Sequence, residues 1–418
     1  MQIWVPVSRC GSVVRVVWDR SGRPGRSSFS YIVLAPLGNV TGRERALLFE
    51  RREVGFLSEL PKIGMREAIG LLTIFLLAKA FLPYLVFMIH WGLSGTWLMT
   101  LIHVPIGVAG VLVLVWLLQR HPGKSIVEIG ESLVGPALNI VFAFIIVTFL
   151  VMKTGFELRQ FAEFLLTAFL IETPISVVVL TFVLAMVVVA YLGVDILGRV
   201  AWIYFLPFLF GLAVLLAMTV NLWEGHGLYP LLGPGLWGMT KGVLVTLGVG
   251  SDIILLGVIA PFLVSKTLRV VGVVSVIVAG TVVSLIITVT LLVFPFPIAH
   301  EFTLPIFEVS RAINLGRFLV RLETLFLPLW MFAGLISMTA GLYAAAAVTA
   351  RGLKMPYYRP FIFPMAVLVI AVSFIFPNIS AAMRISFELL ATWSVVPIGL
   401  IIGTLVGLEY WRARTGPS

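Results

Sequence analysis

Two ionisable side chains lie in stretches otherwise fit only for hydrocarbon. Lys79 sits in Leu76-Leu-Ala-Lys-Ala-Phe-Leu-Pro83, and Asp252 closes Thr246-Leu-Gly-Val-Gly-Ser-Asp252, ahead of Pro261. Charges at membrane depth are costly and are retained for function or paired for structure. An ammonium and a carboxylate at such depth can bind a carboxylate and an amine, and so together a zwitterion. Pro83 cannot donate a hydrogen bond to the carbonyl of residue 79, and Gly248 and Gly250 weaken the second helix. Both stretches are therefore expected to be broken, with the freed backbone facing a cavity, because irregular backbone at that depth is tolerated only there. Two readings stand side by side. In one, Lys79 and Asp252 approach each other across a ligand site; in the other, each is satisfied separately by carbonyls or water.

A second set of charges lies in Lys153-Thr-Gly-Phe-Glu157-Leu-Arg159-Gln-Phe-Ala-Glu163 and in Arg317-Phe-Leu-Val-Arg321-Leu-Glu323. The spacings Lys153–Glu157 and Arg159–Glu163 allow pairing along one helix face. Together with Arg321 and Glu323 these residues could form a network gating an outer vestibule, or an ion-pair lattice that only anchors two helices.

These residues must be positioned by membrane helices. Of the 418 residues 60% are hydrophobic and 11% charged, with mean hydropathy +1.10, whereas a soluble domain carries about 25% charged residues. About ten apolar segments can be read, at roughly 68–89, 95–118, 137–170, 174–192, 200–220, 243–264, 270–294, 322–350, 361–376 and 385–408; most are near the length needed to cross the bilayer, the ninth is short, and the third is too long, so that its outer end must tilt or project. The expected fold is an all-α polytopic membrane protein. Lys79 falls in the first segment and Asp252 in the sixth, so each opens one half of the chain. Interrupted helices at corresponding places in two halves are a sequence pointer to a transporter-type site. Loop Lys and Arg residues place both termini in the cytoplasm by the positive-inside rule, with Arg120, Lys124, Arg199 and Lys266 inside and Lys241, Arg311 and Arg384 outside. The stretch 295–321 is expected outside, with an interfacial helix over Glu308–Arg321 or as a plain loop.

The net charge of +10 does not indicate a nucleic-acid partner, because residues 1–53 hold nine Arg against four acids and much of the remainder lies in loops. Residues 1–60 are expected to form a basic, poorly ordered extension, either a lipid-touching tail or a start-site artefact with the natural start near Val54. Residues 61–411 form the expected membrane domain, and 412–418 a short basic tail. Cys10 is the single cysteine, and the five histidines lack metal-ligand spacing. No GxxxxGK[ST], HExxH or GxSxG motif and no nucleophile–base constellation is present, so neither an enzyme nor a cofactor or metal is expected.

Several stretches resemble the B-subunit family of endospore germinant receptors. They are Lys62-Ile-Gly-Met-Arg-Glu-Ala68, Ala78-Lys79-Ala80-Phe81, His121-Pro-Gly-Lys-Ser125 and Glu157-Leu-Arg-Gln-Phe-Ala-Glu163. Thr173-Pro174, Gly193-Val-Asp195 with Arg199, and Arg321-Leu-Glu-Thr-Leu-Phe326 with Trp330 continue the series over about residues 54–411. That family is a branch of the amino acid–polyamine–organocation transporter superfamily. The resemblance implies two inverted five-helix repeats with helices 1 and 6 unwound around the ligand. It also implies a nutrient sensor of the spore inner membrane, binding a small nutrient such as an amino acid and working with an A-type subunit and a C-type lipoprotein. Carried over by position, the ligand segments are Ala78, Lys79, Ala80 and Phe81 in the first break, and Gly248, Gly250, Ser251 and Asp252 in the second. Transporter relatives often carry a glycine-rich triplet at the first of these, and a lysine there would repel sodium. The alternative is a working amino-acid permease, proton-coupled through Lys79 or Asp252.

Overall fold

In the computed structural model, the structure describes residues 2–7, 12–17, 32–36, 63–313, 323–375 and 379–415. Two compact units divide at Pro61 and Lys62. In the first, strands β1 (Gln2–Val7), β2 (Ser12–Val17) and β3 (Ile32–Pro36) pair antiparallel in that order, with Gln2 opposite Val17 and Ser12 opposite Pro36. The poorly ordered tail and the alternative start near Val54 fall on this unit, most of which lies outside the described residues.

The second unit is helical throughout its described length. Its first helix, α1 (Met65–Leu77), begins where the Glu67 carboxylate accepts the Gly64 N–H at 2.7 Å, which satisfies one of the free donors of the first turn. After α2 (Tyr84–Gly92) and α3 (Thr96–Arg120) comes the longest helix, α4 (Ile126–Ala168). A reciprocal cap starts α4: Glu128 Oε2 accepts the Ser125 N–H at 2.6 Å, and Ser125 Oγ accepts the Glu128 N–H at 3.4 Å. At 43 residues it exceeds the bilayer, and it bends at Gly135 (φ 80°, ψ 169°) just before Pro136. Only glycine adopts that backbone without strain. Beyond the bend, residues 136–168 still run about 50 Å at about 1.5 Å per residue, longer than about 30 Å of hydrocarbon.

The chain continues through α5 (Ile175–Leu192), α6 (Val194–Ala217), α7 (Gly235–Val245), α8 (Ile254–Ile259) and α9 (Leu268–Val293). Two short helices follow, α10 (Phe296–Ala299) and α11 (Pro305–Ala312). The interfacial helix expected over Glu308–Arg321 is represented by α11, which starts earlier and ends at Ala312; residues 314–322 lie outside the described ones. The last four helices are α12 (Glu323–Gly352), α13 (Arg359–Phe374), α14 (Ile379–Ser386) and α15 (Val395–Thr415), the final two joined by a π-helical stretch at Phe387–Trp393.

Among the described residues eight helical segments are long and apolar enough to cross a membrane, with α13 a shorter apolar helix beside them. Burial sorts them. In Leu327–Gly352 83% of the apolar window is buried, and in Gly235–Phe262 76%, against 28–44% in the other six. The remaining spans turn Phe144, Ile203 and Phe210 outward, and α13 turns Phe363, with about 70% or more of each exposed. Such a surface is insoluble in water and fits hydrocarbon: the chain is an integral membrane protein. Its centre is packed through small residues. A Cβ on Gly341 of α12 would lie 2.2 Å from Thr154 Oγ1 of α4, and one on Gly155 would lie 2.5 Å from Val372 of α13. Close helix approach of this kind is how membrane bundles gain dispersion contacts without a hydrophobic driving force.

Candidate functional site

Both expected breaks are present. Helix α1 stops at Leu77, Ala78–Phe81 winds as a 3-10 turn, and Leu82 is extended (φ −102°, ψ 174°) before Pro83 and α2. The carbonyl of Lys79, denied a donor by Pro83, accepts the Leu82 N–H at 3.0 Å instead. The second break is a longer 3-10 stretch, Leu247–Ile253, between α7 and α8. Gly248 lies so close to the π-helical stretch that a Cβ there would stand 2.5 Å from the carbonyl oxygens of both Leu390 and Ala391. Ser394 secures the approach, donating to the Gly248 carbonyl at 3.0 Å and standing 3.0 Å from Ser251 Oγ.

The two breaks bring their charges together. Lys79 Nζ lies 2.5 Å from Asp252 Oδ2, with the side chains 15% and 4% exposed. The Tyr84 ring lies 5.7 Å from the same ammonium. Facing this pair, α4 contributes a second: Lys153 Nζ is 2.6 Å from Glu157 Oε1, both buried, and Ser337 Oγ of α12 lies 3.4 Å from Lys153 Nζ and 3.3 Å from Glu157 Oε2. Phe75 covers the Lys153 ammonium at 3.9 Å from its ring centre. The two pairs line one cavity of about 60 Å³, closed by Gln160 and Phe387.

The structure thus places Lys153 and Glu157 beside the Lys79–Asp252 pair. At about 1.5 Å per residue, Lys153 lies roughly 22 Å from the end of α4 at Ala168. Arg159 and Glu163 do pair, at 2.6 Å, but Arg159 turns toward α13 and donates to the Ser373 carbonyl at 3.2 Å. Arg321 lies outside the described residues, and Glu323 is described only as the first residue of α12.

The remaining expected residues divide. Gly248 lines the charged cavity, while Gly250 and Ser251 line a second and larger one beyond the Lys79–Asp252 pair. Ala78 and Ala80 are buried in the 3-10 turn and line neither. Phe81 points into an aromatic cluster with Phe164, Phe307 and Trp330, edge-on to Phe208 at 5.5 Å. Ser337, Ser394 and Ser386, which accepts from Gln160 Nε2 at 3.4 Å on the wall of the charged cavity, were invisible to sequence reasoning, because a serine in an apolar helix usually bonds its own turn. Ser337 shows its use only once α4 is packed against α12.

Chemically, the cavity holds two ammoniums and two carboxylates in mutual neutralisation. A zwitterion can enter such a site by exchanging partners: its carboxylate replaces a protein carboxylate beside a lysine, and its ammonium takes the released acid. Net charge is unchanged, so burial leaves no charge uncompensated.

Residues 62–381 match the protein family described as "Spore germination protein". The chain belongs to that family. A relative within reach of direct sequence comparison is spore germination protein KB of Bacillus subtilis (strain 168), 23% identical over 347 residues, which are 81% of this chain and 90% of that protein. Two solved structures show that the fold of this spore germination protein is also that of transporters. One is MHP1, a nucleobase-cation-symport-1 family transporter in a closed conformation with bromovinylhydantoin bound, with TM-score 0.62, 11% identity, and 85% of this chain and 94% of that chain covered. The other is MhsT in complex with L-phenylalanine, with TM-score 0.50, 15% identity, and 83% and 87% covered. The family match begins at residue 62, where the helical unit begins.

Proposed function

We propose that this chain is the germinant-binding membrane subunit of a spore nutrient receptor. It takes a small zwitterionic nutrient such as an amino acid between the breaks at Ala78–Phe81 and Leu247–Ile253. The observation that carries the reading is the Lys79–Asp252 pair, closed at 2.5 Å where two interrupted helices meet, in a member of the spore germination protein family. Ligand binding opens that pair and favours one of two arrangements of the broken helices, since a ligand shifts an equilibrium only by its differential affinity for the two states.

In the full reading the helical unit has ten crossings in two inverted halves, with both termini in the cytoplasm, and resides in the spore inner membrane. Residues 61–411 are the working domain, with 1–60 an appended basic segment and 412–418 a short tail. The conformational change passes to an A-type subunit and a C-type lipoprotein. Lys153, Glu157, Arg159 and Glu163 hold the resting arrangement.

A second reading, an amino-acid permease, draws on the likeness of the fold to MHP1 and MhsT. The two are separated by deleting this chain and by reconstituting it alone. The receptor reading expects spores that no longer germinate on one nutrient while vegetative uptake of that nutrient is intact. The permease reading expects accumulation of labelled amino acid in proteoliposomes that hold this chain alone.

A further inference from the structure

We propose that the ligand is an amino acid with a bulky apolar side chain, housed in a second chamber behind the Lys79–Asp252 pair, between the broken helices and α3, α9 and α15. The inference rests on the reading above, in which Lys79 and Asp252 hold the ligand's charged groups.

The charged cavity is too small for more than a polar head: its volume of about 60 Å³ corresponds to roughly two waters. The second chamber measures about 420 Å³, whereas an apolar cavity of about 150 Å³ already admits benzene. The two share Lys79 and Tyr84 as a common wall. A molecule whose head replaces Asp252 beside Lys79 therefore has a place behind that lysine for its tail.

The chamber walls are suited to hydrocarbon. Val104, Val276, Val283 and Ile398 line it, and Lys79 is the charged residue on its wall. Three of its polar side chains have partners outside the chamber. Thr100 Oγ1 donates to the Trp97 carbonyl at 2.9 Å. His103 stands 2.8 Å from the Met99 carbonyl and 3.0 Å from Thr246 Oγ1, and Ser251 is held by Ser394. Apart from the wall shared with Lys79 and Tyr84, the space chiefly offers a ligand area burial. The space itself is made by glycines: a Cβ built on Gly250 or Gly399 meets nothing within 4 Å.

The mouth lies between α3 and α15, where Ile106 and Val113 are 40% and 45% exposed, so a lipid acyl chain is the competing occupant. An acyl chain would have no use for the inner wall, which is the backbone of the second break at Leu247, Gly250 and Ser251 together with the Lys79 ammonium. That juxtaposition of an apolar hollow with a zwitterion-binding pair favours a ligand that is both.

The test is binding of labelled L-alanine, L-leucine and L-phenylalanine to the full chain in nanodiscs, for the wild type and for Gly399→Leu and Gly403→Leu, both at glycines of the chamber wall where a Cβ meets nothing within 4 Å. Each variant is checked for an unshifted thermal melt, and two independent fillings guard against one that fails to fold. The expected result is L-leucine and L-phenylalanine binding at least about tenfold tighter than L-alanine, given the hydrocarbon they bury. Filling the chamber should remove that advantage while L-alanine stays within about twofold. L-alanine binding as tightly as the bulky pair overturns the chamber assignment and leaves the receptor reading standing. Bulky ligands that bind tightly but ignore both fillings overturn it too, and leave the chamber to acyl chains. Failure of every amino acid to bind rejects the receptor reading and this inference together.

Discussion

Lys79 and Asp252, 173 residues apart in sequence, meet at 2.5 Å between the two interrupted helices, with Asp252 almost wholly buried. A pair this deep does more for specificity than for net stability, because desolvation offsets most of its Coulomb attraction. Breaking it from one side is another matter. Lys79→Met or Asp252→Asn leaves one charge buried alone and should cost about 3–5 kcal/mol, seen as a lower melting temperature in detergent. The double variant Lys79→Met/Asp252→Leu should regain most of that stability and still fail to respond to the nutrient. The exchange Lys79→Asp/Asp252→Lys should recover part of the response, and no recovery would speak against a site shared by the two residues.

The two glycines of the second break should behave oppositely. At Gly248 a methyl group would collide with two carbonyl oxygens of the π-helical stretch, whereas at Gly250 it would meet open space. Gly248→Ala should therefore push Phe387–Trp393 away, break the Ser394 contact and destabilise by an amount typical of overpacking, about 1–3 kcal/mol. Gly250→Ala should melt within about 0.5 kcal/mol of the wild type, like other substitutions that disturb no packing. Thermal melts of the two proteins side by side check this.

Ser337 ties the second ion pair to α12. Ser337→Ala removes a hydroxyl near both Lys153 and Glu157 and should cost about 1–2 kcal/mol, in the range for hydrogen bonds to charged groups. Glu157→Gln leaves Lys153 without its carboxylate and should cost more, about 3–5 kcal/mol. If this pair holds the resting arrangement, Ser337→Ala should also lower the nutrient concentration needed for half-maximal germination, a shift that a purely structural role would not produce.

At Gly135 a Cβ would touch nothing, yet φ is 80°. Gly135→Ala should therefore destabilise by backbone strain alone, of order 1–3 kcal/mol, with binding unchanged. A binding assay beside a thermal melt separates the two effects.

The breaks were legible because their causes are local. Pro83 and the Gly248–Gly250 pair act on their own helices, and a charge in an apolar run is visible at once. The meeting of Lys79 with Asp252 was one of two readings open to the sequence, and the structure brings the two side chains together. The meeting of the Lys153–Glu157 pair with the first pair in one cavity was not legible, since the register of α4 depends on the bend at Gly135 and on where Ser337 of α12 comes to lie. The π-helical stretch and Ser394 were hidden for a similar reason. Phe387–Trp393 reads as ordinary apolar helix, and its altered winding matters only because Gly248 packs against it. Phe81 belongs to the first break in sequence, but its ring is drawn into the aromatic cluster around Trp330.

The decisive measurement is nutrient-triggered germination of spores deleted for this chain and complemented with wild type, Asp252→Asn, or the exchanged pair, at matched protein abundance in the membrane. The account predicts a full response with wild type, no response to the cognate amino acid with Asp252→Asn, and a partial one with Lys79→Asp/Asp252→Lys. An Asp252→Asn strain that germinates at wild-type rate and nutrient concentration would contradict it.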